Sequence, residues 1–122
     1  MIDISKITLA VIEKQETILN RLTDLSYNDT LKLMASLSSL IINLDRLQTE
    51  EESNCNKLIL QTMKEDRRTS LSKAEVVMKS SDTYLSYKNI LSLKQCTSRG
   101  IGIVRLHIHF LLKSKIEAES GD

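Results

Sequence analysis

One apolar pattern dominates this sequence over residues 29–66, which read DTLKLMASLSSLIINLDRLQTEEESNCNKLILQTMKED. Leucines recur there at steps of three and four residues, the spacing that places side chains on one face of an α-helix. They are Leu33, Leu37, Leu40, Leu44 and Leu47. No Pro or Gly interrupts the stretch, although it turns polar near Glu50, and Asn28 or Asp29 is its predicted N-cap. The pattern predicts one long helix, which needs a partner to cover its apolar face.

The composition extends the helical prediction to the whole chain. The 122 residues include no Pro and 3 Gly, where average usage gives roughly 6 Pro and about 8 Gly. Residues 1–99 contain neither, which argues against a many-stranded sheet, a P-loop and a GxGxxG turn. Aromatic residues are scarce, at 3%, which favours burial between chains over a self-sufficient core. We predict an all-α fold, an elongated hairpin or bundle of three to four helices that self-associates.

A heptad stripe identifies the first helix, over residues 3–25, with Asp3 or Ser5 as its N-cap. The apolar members of the stripe are Ile4, Ile7, Val11, Ile18, Leu22 and Leu25. Gln15 fills the one polar position. Such a residue can fix the register or oligomeric state of a helical assembly, and an ordinary tolerated polar residue fits the pattern as well. We predict that the stripe is the interface of a homo-oligomer.

A polar break at residues 67–70 precedes the third predicted helix. Ser72 followed by Glu75 matches a capping box, in which each side chain bonds the backbone N–H of the other residue. We therefore place this helix at residues 72–95. Residues 80–82 interrupt its apolar stripe, and in the alternative interpretation they cap a fresh helix.

Two periodicities fit residues 101–112. Apolar residues alternate with Arg105, His107 and His109, as in a strand, while helical spacing also fits. A lone strand has nothing to pair with unless another subunit supplies it, so we predict a helix with a weak or kinked point at Gly100-Ile-Gly102. The chain is then a single domain, 1–122, comprising an N-terminal heptad helix (1–26), a helical hairpin (29–112) and an acidic tail (113–122).

Charge is distributed unevenly along the chain. Residues 1–52 carry a net charge of −4, residues 53–115 carry +8 and residues 116–122 carry −3. This split suits head-to-tail contact between subunits or a basic face that binds an anionic polymer, and two solvated helix faces are the simpler alternative. A polyanion requires several cationic side chains that reach successive phosphates. The candidates are Lys57, Lys64, Arg67, Arg68, Lys73, Lys79, Lys88, Lys94 and Arg99.

Two tyrosines, Tyr84 and Tyr87, lie among these basic residues. Proteins that bind single strands stack bases on such rings, but both positions fall on the apolar stripe, which favours a role in the core. The sequence contains no helix-turn-helix, zinc-finger or RNP motif, so we predict no sequence-specific readout.

The chain offers little to catalysis or to metal binding. His107, His109 and Cys96 fall short of the four ligands of a structural zinc site. Cys96 and His107 form the one plausible nucleophile and base pair, and no acidic residue follows until Glu117. Cys55 and Cys96 form no CxxC, and the N-terminus lacks a secretory pattern, which favours the reducing cytoplasm. We predict no enzyme activity, no metal, no cofactor and no membrane span.

Residues 73–88 read KAEVVMKSSDTYLSYK, and a Leu- and Lys-rich run then leads through Ser98-Arg99-Gly100-Ile101. Over roughly residues 30–112 the chain resembles small phage-encoded helical proteins, among them the UvsY-type recombination mediators of tailed phages. The resemblance implies an oligomeric helical ring that binds single-stranded DNA and helps to load a recombinase, in the cytoplasm of a bacterial host. It implies that the segment 101–112 contacts other subunits and that the DNA-facing residues are Lys57, Lys64, Arg67 and Arg68.

Two functions follow as hypotheses. The first is a non-enzymatic homo-oligomer that binds single-stranded DNA through its basic second half and assists recombination. The alternative is a helical adaptor or inhibitor that binds a protein partner through its heptad faces. Self-assembly without either partner is a third possibility.

Overall fold

The computed structural model describes residues 4–120, and nearly all of them are helical. The elements are α1 Ile4–Arg21, a 3-10 turn Leu22–Asp24, α2 Tyr27–Glu65, α3 Leu71–Lys79 and α4 Asp82–Ser120. The predicted all-α class is confirmed. No strand forms among the described residues, so helix packing alone builds this part of the chain.

The second helix forms as the leucine pattern predicts, without interruption at Glu50. Its N-terminal hydrogen bond comes from an unpredicted residue. The Ser26 Oγ accepts from the Asp29 N–H at 3.1 Å, so the assignment of the cap to Asn28 or Asp29 is wrong. Leu25 is extended, with φ −77° and ψ 139°, and ends the 3-10 turn. Ser26 is therefore the residue that meets the unpaired N–H groups of the first turn.

The single predicted helix over residues 72–95 is wrong, and the alternative of a fresh helix is confirmed. α3 ends at Lys79 and α4 begins at Asp82. The cap of α3 is Ser70, not Ser72, because the Ser70 Oγ accepts from the Lys73 N–H at 3.2 Å. The Ser81 Oγ accepts from the Tyr84 N–H at 3.2 Å. Serine hydroxyls compete for backbone groups, and here they favour a restart over continuation.

The segment 101–112 is helical, as predicted, and lies inside the continuous α4. Gly100 is buried, and a Cβ built on it would lie 2.9 Å from Ile18 Cδ1, whereas a Cβ on Gly102 would meet nothing within 4 Å. Gly100 therefore permits a close approach of α1 to α4 and is not a weak point. The predicted tail, 113–122, is helical as far as Ser120, and its last two residues lie outside the described part.

The chain divides into two compact units. The first unit comprises Met1–Ile42 and Lys94–Asp122, and the second unit comprises Asn43–Leu93. α1 lies in the first unit and α3 in the second, while α2 and α4 each contribute a segment to both. The division into units determines which side chains share a surface.

The core of the first unit corrects the predicted oligomer interface. Its buried cluster comprises Ile18, Leu22, Leu33, Leu37 and Val104, with Leu25, Met34, Ile101 and Ile108 packed against it. Of the six predicted interface residues, Ile7, Val11, Ile18 and Leu22 are buried, while Ile4 and Leu25 are half-buried. The four buried residues are thus covered by helices of their own chain, while Ile4 and Leu25 are only partly covered. An interface between subunits would use other residues.

The polar position on that stripe also has a partner within the chain. Gln15 Nε2 donates to the backbone carbonyl of Cys96, 2.9 Å away on α4. Gln15 therefore joins α1 to α4 within the first unit. Of the two predicted caps of α1, Ser5 lies inside the first turn and Asp3 lies outside the described residues.

The second unit has its own set of buried side chains, which are Leu44, Leu47, Cys55, Ala74, Met78 and Ile90. They come from α2, α3 and α4, so all three helices contribute apolar surface to this unit. Within residues 4–120, every helix is too short or too polar to cross a lipid bilayer.

Candidate functional site

The basic residues predicted to bind nucleic acid are accessible. Eight of the nine are exposed, and Lys94 is half-buried. Lys94 and Arg99 belong to the first unit. The other seven lie in the second unit and are Lys57, Lys64, Arg67, Arg68, Lys73, Lys79 and Lys88. Seven of the nine predicted residues therefore lie in one compact unit.

The turn between α2 and α3 presents two of these side chains in an ordered backbone. Asp66 Oδ1 accepts from the Arg68 N–H at 2.9 Å, and the Asp66 carbonyl accepts from the Thr69 N–H at 2.9 Å. The Asp66 side chain and backbone thus fix the turn locally. Arg67 and Arg68 are both exposed.

The charge of the second unit is unevenly distributed along its segments. Counted as a whole, residues 43–93 contain eight basic and eight acidic residues, so their net charge is zero. Within the unit, residues 43–52 carry −3 and residues 53–88 carry +3. The Glu52 and Tyr87 side chains are hydrogen-bonded, so the segments that follow Glu52 on α2 and precede Tyr87 on α4 lie at the same end of the unit. We call residues 53–88 the basic end.

The two tyrosines are neither fully buried nor fully available for stacking on bases. Tyr84 and Tyr87 are half-buried, with ring centroids 6.2 Å apart and ring planes tilted by 34°. The Tyr87 hydroxyl donates to Glu52 Oε1 at 3.2 Å. Burial raises the pKa of the Tyr87 hydroxyl, and the bond to the Glu52 carboxylate raises it further. The hydroxyl therefore stays protonated, and remains a donor to Glu52, at pH values where an ordinary tyrosine has begun to ionise.

A cavity of about 260 Å³ lies beside this tyrosine pair. The residues that line it are Glu52, Cys55, Asn56, Met78, Tyr84 and Tyr87. The sequence alone does not predict this cavity. The sequence does contain two pairs of its lining residues at a spacing of three, Glu52 with Cys55 and Tyr84 with Tyr87. Residues at this spacing lie on one face of a helix. Only the pairing of α2 with α4 brings the two faces together.

No group of three or more His, Cys, Asp and Glu side chains converges within residues 4–120 in a way that would hold a metal ion. The His107 ring instead stacks on the Phe110 ring, with centroids 6.2 Å apart. Cys55 and Cys96 are free thiols, the first buried and the second exposed.

The two thiols are expected to react at different rates. Burial raises the pKa of the Cys55 thiol, and the nearby Glu51 and Glu52 carboxylates raise it further, which lowers its thiolate fraction at a given pH. We expect Cys96 to react with a disulfide reagent at neutral pH roughly 10-fold or more faster than Cys55. Cys55→Ser and Cys96→Ser variants assign the two phases, and denaturant should merge them. Equal rates in the folded protein would contradict the burial of Cys55.

The first unit exposes several large apolar side chains. They are Leu9, Ile12 and Leu19 on α1 and Ile103, Leu106 and Phe110 on α4.

Comparisons with protein-family models, with curated proteins and with solved structures found no match. Function is therefore inferred from the side chains described above.

Proposed function

We propose that the protein is a non-enzymatic, homo-oligomeric accessory protein of phage type that binds single-stranded DNA and assists recombination. The observation that supports this most directly is the exposure of Arg67 and Arg68 on the ordered turn of the basic end. Exposed cations bind phosphates with little reorganisation and release the condensed counterions of the polymer. The resemblance to UvsY-type mediators agrees with this proposal.

The chemistry of the basic end suits the backbone of the nucleic acid. Its cations are lysines and arginines without a surrounding array of exposed aromatic rings, so phosphates are the groups they bind. One copy offers a net charge of only +3 over residues 53–88. Several copies on one strand multiply the contacts, since binding sites joined in one assembly gain avidity. This is why self-association is part of the proposal.

The test reverses the charge of two arginines in the turn, and a control variant reverses two charges in the other unit. We expect Arg67→Glu with Arg68→Glu to weaken binding of a fluorescent single-stranded oligonucleotide about 5- to 10-fold at low salt and to reduce the salt slope by about 2. Fluorescence anisotropy between about 50 and 200 mM salt measures both quantities. The control is Lys113→Glu with Lys115→Glu, an equal charge change on exposed residues of the first unit.

The control variant should bind within about twofold of the wild type, because its charges lie outside the basic end. Equal losses in both variants would show a general charge effect and would refute the assignment to the turn. An absence of any binding at about 50 mM salt would refute DNA binding itself. Light scattering on the same samples tests self-association, and a monomer both with and without DNA would refute the oligomer.

The exposed apolar side chains of the first unit favour a second candidate, a protein adaptor. Leu106 is 72% exposed and Phe110 is 63% exposed, and both cost free energy in water. The heptad residues Ile18 and Leu22 are buried, so a partner would contact Leu106 and Phe110 instead. Partner binding of this kind would be lost on polar substitution of these two residues and would be insensitive to Arg67→Glu.

A further inference from the structure

The cavity beside the tyrosine pair is lined by two aromatic residues and a single charged group. Tyr84 and Tyr87 supply two rings, and Cys55 and Met78, both buried, supply a polarisable apolar floor. Among the described residues, Glu52 is the one ionisable carboxylate in the lining, and no basic side chain belongs to it. A cation held against aromatic rings gains from their negative faces, and a carboxylate at the rim adds direct attraction.

The carboxylate is held in place by two neighbours. Glu52 Oε1 accepts from the Tyr87 hydroxyl at 3.2 Å and from Gln48 Nε2 at 3.1 Å. Both bonds fall on Oε1, and neither uses the lone pairs of Oε2. Gln48 and Glu52 are four residues apart on α2, so the helix itself fixes this arrangement. The position of the charge is therefore set before a ligand arrives.

The electrostatic environment of Cys55, at the floor of the cavity, is also negative. The carboxylates of Glu51 and Glu52 disfavour the thiolate of Cys55, in addition to its burial, and raise the pKa of that thiol. Residues 43–52, which precede the cavity on α2, carry a net charge of −3. Five of the six lining residues belong to the basic end, but the only formal charge in the described lining is the Glu52 carboxylate, which disfavours an anion there.

We propose that this cavity binds the head of a small organic cation, an alkylated ammonium group. The volume of about 260 Å³ lies below the range of roughly 300 to 1,000 Å³ that is usual for drug-sized ligands. It therefore suits a compact cationic head. The Asn56 amide, at the same rim, offers a hydrogen-bond partner for a substituent on that cation.

The test compares a cation with its neutral isostere. Choline and 3,3-dimethylbutanol have nearly the same shape, and only choline carries a charge. The chain contains no Trp and three Tyr, two of them in the cavity, so tyrosine fluorescence and NMR shifts report binding directly. We expect a saturable response to choline and at least about 10-fold weaker binding of the alcohol. Equal binding of the two, or no saturable response, would overturn the proposal.

A matched pair of variants tests the role of the carboxylate. Glu52→Gln should weaken choline binding about 5- to 10-fold, whereas Glu50→Gln, at an exposed residue outside the lining, should leave it within about twofold. Circular dichroism verifies that both variants fold. Equal effects of the two substitutions would overturn the assignment, and the choline comparison on the wild type stands even if Glu52→Gln unfolds.

The same titration distinguishes the source of the cation. A short peptide that carries trimethyllysine presents the same head on a polypeptide. Binding of the peptide at least about 10-fold tighter than choline would assign the site to a side chain of a partner protein, since added contacts raise affinity. Equal binding would assign it to a free small molecule. Loss of DNA binding in the Arg67 and Arg68 variant leaves both outcomes unaffected.

Discussion

Truncation of Leu37 to Ala is expected to lower the free energy of unfolding by about 3 kcal/mol. Leu37 is 1% exposed and belongs to the cluster of Ile18 and Val104, so its removal leaves a cavity that three helices of the first unit line. The cost combines lost burial with the residual void. Chemical denaturation followed by circular dichroism measures it.

The matched control is Leu19→Ala on α1, where the side chain is 79% exposed. We expect its effect to stay within about 0.5 kcal/mol, as is usual for surface positions. If Leu19→Ala cost as much as Leu37→Ala and the loss depended on protein concentration, Leu19 would be buried between subunits. A loss for Leu37→Ala as small as the control would contradict the packing described here.

The two glycines of α4 are expected to respond in opposite directions to Ala. Gly102→Ala should raise the free energy of unfolding by about 0.5 to 1 kcal/mol, because Gly costs that much in a helix and the new Cβ meets open space. Gly100→Ala should lower it by about 1 kcal/mol, because the new Cβ would lie 2.9 Å from Ile18 Cδ1 and that buried side chain must shift within the core.

A thermal or denaturant series on both variants tests this difference, which amounts to about 2 kcal/mol. The comparison controls for helix propensity, since both substitutions gain it equally. Stabilisation of similar size at both positions would show that Ile18 moves aside freely and that Gly100 is not required for the approach of α1.

The sequence predicted the long α2 because its leucines repeat over many turns and no breaker intervenes. It did not identify what covers the stripe on α1. A heptad pattern shows that one face is apolar, and the same side chains fit a second chain or a neighbouring helix equally well. The close approach at Gly100, which the pattern suggested as a flexible point, is the kind of contact that depends on tertiary structure.

The helix caps were harder to predict for a local reason. Ser70 and Ser72 both lie near the start of α3, and only Ser72 has Glu three residues later. The hydrogen bonds around Asp66 determine where the chain leaves the turn, and they leave Ser70 as the cap. The cavity beside the tyrosine pair was not predicted because Glu52 stands in a run of three glutamates, which is typical of a solvated helix face.

The hydrogen bond from Gln15 to Cys96 has a consequence for how this protein tolerates sequence change. The acceptor is the backbone carbonyl, so the exposed Cys96 side chain takes no part in the bond. Position 96 can therefore accept other helix-forming residues, while a side chain at position 100, one turn later, would meet Ile18 Cδ1 on the neighbouring helix. Related chains should vary at 96 and retain a small residue at 100, paired with a hydrogen-bond donor at 15.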